Sequence, residues 1–280
     1  MSPRPPRKSK FLRAKVRHLL LTKTADKLTL GSLTRRHARQ PIELREVTVR
    51  AAGWPHAFDG LRIAHVTDFH LGHLMPVDRA VEAVQRVAAC KPDLLACTGD
   101  VVDLECDGVE PLLAAMGAVT APLGRFLVLG NHDHLDSNHM IEGLARMRGL
   151  EVLHGEVTTV DGQRGGLRVG GVDWHRSAAG LRRSVAALPQ VPHLLLAHNP
   201  KAFFAAADRG VALTLSGHTH GGQVALKARP KANLHIGSRL SAGTYHRRGH
   251  ALFVSVGAGA WFPVRLNCPP EVVLLTVRCG

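Results

Sequence analysis

Five times along this chain an apolar, strand-like run ends in a short segment of Asp, His or Asn. Leu61–Val66 leads into Thr67-Asp68-Phe69-His70, and Leu94–Cys97 leads into Gly99-Asp100-Val101-Val102-Asp103. Phe126–Leu129 precedes Gly130-Asn131-His132-Asp133, and Leu194–Leu196 precedes Ala197-His198-Asn199-Pro200. The fifth segment is Ser216-Gly217-His218-Thr219-His220-Gly221-Gly222-Gln223. Loops at strand ends are where α/β folds place their sites. Each segment alone is weak, because Asn, Asp and Gly also favour turns. Five in order restrict the chain to folds that gather strand ends at one place. In an extended segment Asp68 and His70, two apart, point the same way and can share one ion.

The intervening pattern is α/β. Strands are expected at 42–50, 61–67, 93–98 and 126–129, with helices at 77–90, 109–119 and 138–147. Short strands follow at 150–153, 157–161 and 167–172, then a helix at 178–188, a strand at 193–197, a helix at 200–208 and a strand at 211–215. The tail from 223 to 277 reads as β with turns. The architecture expected is an α/β two-sheet sandwich flanked by helices. Its domain spans 41–280 and is preceded by a basic arm at 1–40.

Charge separates the two parts. The chain carries a net +14, yet the first 40 residues hold twelve Lys and Arg against the single acid Asp26, and the remainder is close to balance. In the arm, Leu12, Val16, Leu19 and Leu20 share one helical face, with Arg13, Lys15 and Arg17 mostly off it. A basic amphipathic helix of this kind suits an anionic membrane surface; the alternatives are that its apolar face docks on the protein or that the arm is a solvated tail. Nucleic acid is a weaker partner candidate, since the rest of the chain is charge-balanced and aromatics make up 4%. DNA binding that is salt-dependent and lost on removing residues 1–40 would favour it. Cys90, Cys97, Cys106, Cys268 and Cys279 are odd in number, lack metal-ligand spacing and fit a reducing compartment. A cytoplasmic location, peripheral at the inner face of the membrane where the arm binds it, is the expectation.

The ordered motifs resemble those of the calcineurin-like metallophosphoesterases, in particular a bacterial branch sharing Gly217 to Gln223 and the terminal Asn267-Cys268-Pro269-Pro270-Glu271. The resemblance runs from about residue 60 to the C-terminus. It implies that Asp68, His70 and His220 hold one metal, that Asn131, His198 and His218 hold a second, and that Asp100 bridges them. It implies that His132 contacts the phosphate and protonates or stabilises the leaving oxygen, with Asp133 orienting it. Two divalent ions (Mn, Fe or Zn) fit the mixed N and O donors, and together they would present a bridging hydroxide for in-line attack on phosphorus. The substrate class is a phosphodiester, pyrophosphate or phosphomonoester. The branch is similar to enzymes that cleave the pyrophosphate of UDP-2,3-diacylglucosamine, which makes a lipid-linked pyrophosphate one concrete candidate. Cyclic and other nucleotides or nucleic acid, and a non-catalytic metal-binding scaffold, are the alternatives. Protein Ser/Thr phosphatases carry Arg and Glu where this chain has Leu104 and Asp133, which argues against a phosphoprotein substrate.

Five further positions have competing readings. Asp103 is either a partner of a metal ligand or a helix N-cap. Asn199 before Pro200 reads as turn chemistry. His73 and His134 are loop neighbours of the motifs, and His65 faces a sheet interior. The segment Gly171–Arg176 ends a strand and is a candidate pocket wall, in which Arg176 would suit a second phosphate.

Overall fold

The structure is a computed structural model that describes residues 8–161, 165–226 and 239–280. Two six-stranded sheets form its centre. The first runs β1 (Glu43–Ala51), β12 (Glu271–Cys279), β2 (Leu61–Val66), β3 (Leu94–Cys97), β4 (Arg125–Leu127), β5 (Glu151–Val152). The second runs β10 (Gly243–Arg247), β11 (His250–Val254), β9 (Leu213–Ser216), β8 (Leu194–Ala197), β7 (Leu167–Val172), β6 (Glu156–Val160). The expected sandwich is thus observed. The tail reading covers β10 to β12, while its 227–238 portion lies outside the described residues.

The inner faces of both sheets make one core. Ile63, Leu94, Ala96 and Phe126 of the first meet Leu194, Leu196, Leu213 and Phe253 of the second. The strands β3, β8 and β9 are buried along their whole length, as expected for parallel strands covered on both faces. Helix α4 (Val77–Ala88) buries Ala80, Ala83, Val84 and Val87, a stripe at spacings of three and four residues. With α5 (Glu110–Gly117) and α6 (Asn138–Met147) it covers the outer face of the first sheet. Helices α7 (Ala178–Ala186) and α8 (Ala202–Asp208) cover that of the second.

β2 to β5 run parallel, as do β7, β8 and β9. The loops that leave their C-terminal ends therefore emerge at one edge of the sandwich. His198 at the end of β8 places Nδ1 2.7 Å from the Thr98 carbonyl after β3, which ties the two sheets together at that edge.

The arm folds over the same edge. It comprises α1 (Lys8–His18), a π-helical turn at Leu19–Lys23, α2 (Thr24–Leu28) and α3 (Ser32–Arg39). It docks by its polar side: His18 lies 3.0 Å from Asp103, Lys15 2.7 Å from Glu105 and Asp26 3.6 Å from His73. Ala14, Thr22 and His37 are buried, and Arg79 holds the carbonyls of His37 and Gln40. Leu12, Val16, Leu19 and Leu20 face outward and are 47–63% exposed. The alternative in which this apolar stripe packs on the domain is therefore not what the structure adopts.

Candidate metal centre and active site

All five motif segments reach one place, and the candidate metal ligands and His132 lie within five residues of their strand ends. Asp68 and His70 follow β2, Asp100 follows β3, Asn131 and His132 follow β4, His198 follows β8, and His218 and His220 follow β9. The cause of their convergence differs from simple strand alternation. Asp68 (φ 52°), His70 (48°), Asp100 (51°), His218 (71°) and His220 (49°) are all left-handed, a conformation rare in residues other than glycine. Strained backbone concentrated on five chemically active residues is the pattern expected of a site held by its surroundings.

Close packing explains the motif glycines. A Cβ on Gly217 would sit 1.9 Å from Asp68 Oδ2, and one on Gly130 2.1 Å from Asp100 Oδ1. No side chain fits either place without displacing a carboxylate.

Two groups with mutually close ligand atoms result. Asp68, His70 and His220 form one, and Asp100, His198 and His218 form the other. His70 Nε2 is 3.5 Å from Asp100 Oδ2 and His198 Nε2 is 3.2 Å from the same oxygen, so Asp100 lies between the groups. A third combination, His70, Asp100 and His132, also lies within ligand range. Asn131 Oδ1 is buried beside them with no hydrogen-bond partner. A buried acceptor without a partner is costly unless something coordinates it.

The electrostatics fit a cation. Burial opposes ionisation of Asp68 and Asp100, but the surrounding histidines overcome it and hold both well below the usual carboxylate range. Burial likewise lowers His218 to about 3 and His220 to about 4, so both are neutral imidazoles, the form that binds metal. His70 and His198 are the opposite case. Burial disfavours their charge, yet Asp103, Asp68 and Asp100 raise His70 to about 10, and Asp100 raises His198 to about 9. Buried carboxylates demand positive charge, which the protein alone supplies as protons on imidazole and which divalent ions would replace.

One implied role is corrected by the geometry. Asp133 does not orient His132: its Oδ2 accepts the amides of Asp100 and Gly130, each at 2.8 Å, and its Oδ1 those of Val101 (2.8 Å) and Val102 (3.2 Å). It fastens two loops together. Asp103 takes the ring instead, with its carbonyl 2.5 Å and its Oδ1 3.2 Å from His132 Nδ1. The same carboxylate lies 3.4 Å from His70 Nδ1, and α5 begins only at Glu110, so Asp103 partners site histidines and is no N-cap. The His132 amide donates to Asp100 Oδ1 at 2.7 Å, which couples its position to the metal groups.

The open readings resolve similarly. Asn199 Oδ1 accepts the Lys201 amide, a turn contact. His65 is buried on Thr98 and Phe253, and His134 lines the pocket. Trp174 stands 4.6 Å from His218 and 5.5 Å from His198, ring to ring, so the segment after β7 does form a wall. Arg265 escaped sequence reading. It is buried and donates to the carbonyls of Val256 and Gly259 and to Nδ1 of His220 at 3.2 Å, which aims His220 Nε2 at Asp68. A lone Arg in the apolar run Trp261–Leu266 was the available signal. All five cysteines are free thiols.

A cavity of about 730 Å³ opens beside this cluster, lined by Asn131, His132, His218 and Trp174 among others. No helix among the described residues is long and apolar enough to cross a membrane.

Residues 61–222 match the family model for calcineurin-like phosphoesterases. An uncharacterised metallophosphoesterase of Bacillus subtilis, YkuE, is 29% identical over 254 residues, spanning 85% of this chain and 86% of its own. A metallophosphoesterase of Aquifex aeolicus is 32% identical over 78% of this chain and 85% of its own. The phosphodiesterase YaeI of Escherichia coli is 30% identical over 76% and 81%. With a family match across most of the domain and Asp/His clusters able to hold metal at its strand ends, this chain belongs to the calcineurin-like phosphoesterases, metal-dependent hydrolases of phosphoric esters.

Proposed function

We propose that this protein hydrolyses a phosphodiester, pyrophosphate or phosphomonoester with two divalent cations. Asp68, His70 and His220 hold one, Asn131, His198 and His218 hold the other, and Asp100 is shared. The observation that carries the reading is the pair of buried clusters meeting at Asp100, with the unpartnered Asn131 Oδ1 beside them. When bound, such ions supply Lewis acidity and make water acidic enough to be a nucleophile near neutral pH. The chain's own residues do the rest. His132 bonds Asp103 through Nδ1, so Nε2 is the ring atom that faces the pocket, where Arg17 Nη2 lies 3.2 Å from it; with substrate in place Nε2 would contact the phosphate and protonate or stabilise the leaving oxygen. Trp174 walls the site from solvent beside His198 and His218.

The expected result is turnover of bis(p-nitrophenyl) phosphate by Mn²⁺-loaded protein, lost on chelation and restored by Mn²⁺. Turnover that persists after complete chelation would overturn the metal-dependent reading. Bound metal with no turnover on any ester would return the scaffold reading.

A substrate at an anionic membrane surface, with a lipid-linked pyrophosphate such as UDP-2,3-diacylglucosamine as the concrete candidate, is supported by the arm. Its apolar stripe is exposed beside basic residues, and this arm lies at the pocket edge. Vesicles rich in phosphatidylglycerol should therefore carry the protein on flotation, and the double variant Leu12→Glu, Leu19→Glu should stay behind. Equal flotation of both proteins would remove the arm from membrane binding.

A further inference from the structure

The cavity beside the metal clusters is unusual in its charge. Among its fourteen lining residues Arg13, Arg17, Arg176 and Lys201 are cationic and none is an acid. These four come from three separate places: α1 of the arm, the loop before α7 and the loop before α8. Arg17 reaches furthest. Its Nη2 lies 3.2 Å from His132 Nε2, and its guanidinium also lies 5.7 Å from the ring of Trp261. A guanidinium brought to the atom that would meet the phosphate has few anionic neighbours there, because the Asp103 carboxylate already engages His18, His70 and His132.

Four like charges around one opening repel each other, a cost that the contacts of Arg17 with His132 and the Trp261 ring offset only at one of the four. They make sense when an anion spends time among them. The metal clusters already account for one phosphate. A cavity of about 730 Å³ has room for more than that group.

The geometry points to a second anion subsite at the pocket mouth, formed by Arg13 and Arg17 of the arm with Arg176 and Lys201, which selects substrates carrying an anionic group in addition to the scissile phosphate. This rests on the hydrolase reading above and adds substrate class and a role for the arm. The arm is a wall of the active site, and its basic residues divide into those that line the pocket and those that do not. Guanidinium groups suit the task, since they bind phosphate through paired N–H donors. The second group is either the adjoining phosphate of a pyrophosphate or a phosphate placed a sugar away on one arm of the ester.

Three probes separate these cases. Bis(p-nitrophenyl) phosphate has no second anion. ADP-ribose has an adjoining one. In 3′-phosphothymidine 5′-p-nitrophenyl phosphate the second anion is a sugar away. For each, kcat/KM is compared between wild type, Arg176→Ala, Lys201→Ala and the double variant Arg13→Ala, Arg17→Ala, with exposed Arg248→Ala as the surface-charge control. The expected result is a ratio of kcat/KM, doubly over singly charged substrate, that falls by about 10-fold to 100-fold in the pocket variants and holds in the control. Which doubly charged probe loses more identifies the spacing. Ratios unchanged in all pocket variants would overturn the subsite.

If the wild type turns over none of the probes, the hydrolase reading fails separately. The subsite is then judged by calorimetric titration with methylenediphosphonate. Affinity lowered by at least about 10-fold in the pocket variants upholds it, and equal affinity overturns it.

Discussion

Asp100→Asn abolishes metal-dependent turnover while leaving the fold intact. Among the described residues Asp100 is the one carboxylate within 3.5 Å of histidines in both clusters, and its Oδ1 accepts the His132 amide at 2.7 Å. The amide side chain keeps an acceptor for that N–H and nearly the same volume. It gives up the negative charge that holds His70 and His198 cationic and that would bind two cations. Activity on bis(p-nitrophenyl) phosphate should drop by on the order of 10³-fold or more, the scale on which removing one key electrostatic element acts. Bound metal, read by plasma mass spectrometry after gel filtration, should fall with it, and the thermal midpoint of metal-free protein should shift by only a few degrees. Wild-type metal content together with wild-type turnover would show that Asp100 is not shared between two ions. Asp100→Ala should lose the same activity and more stability, because the His132 amide is then buried without an acceptor.

Asp133→Ala has the largest expected effect on stability. Four amides from two loops converge on this carboxylate, and all are buried. Each orphaned donor costs about 1–3 kcal/mol, so the loss should be about 4 kcal/mol or more, at the extreme of single-site effects. Urea unfolding of metal-free protein would measure it as a lowered midpoint. Asp133→Asn keeps one acceptor oxygen, enough for two of the four amides, and should fall about midway. A residue that merely oriented His132 would give the reverse result: an unchanged unfolding midpoint and a depressed kcat. That pattern belongs to Asp103→Asn, whose side chain touches the rings of His70 and His132. Burial and the neighbouring Asp100 both push the Asp133 carboxyl upward, which four donated hydrogen bonds oppose.

Both variants bear on how the site is assembled. The carboxylates and imidazoles sit on loops with left-handed residues, which regular structure does not stabilise. What holds them is contact between loops: Asp133 on the 100–102 backbone, the Asp68 carboxylate on the His218 amide at about 3 Å, and Arg265 on His220. The site is therefore pre-formed by polar contacts, which explains why so many of its members are buried and charged.

Much of this was legible in the residue order. Apolar runs of four to six residues separated by 3.6-period stretches specify β3, β8, β9 and α4 because burial on both faces and on one stripe leave different periodicities. The convergence of the candidate metal-ligating residues was legible for a related reason, since charged and imidazole groups directly after buried strands are expensive unless they converge on something. The sequence also carried the split between the basic arm and the balanced domain.

Three matters were decided only by tertiary structure. Asp68 and His70 meet through left-handed backbone and not through strand alternation, because closure of the loop against Gly217 and Gly257 overrides the local β preference. Asp103, not Asp133, attends His132, since adjacency in sequence says nothing of direction once the chain turns. The arm docks by its polar side, with Arg17 at His132 and Leu12 and Leu19 outward. A helical periodicity defines two faces but carries no information about which one a distant carboxylate, here Asp103, will hold.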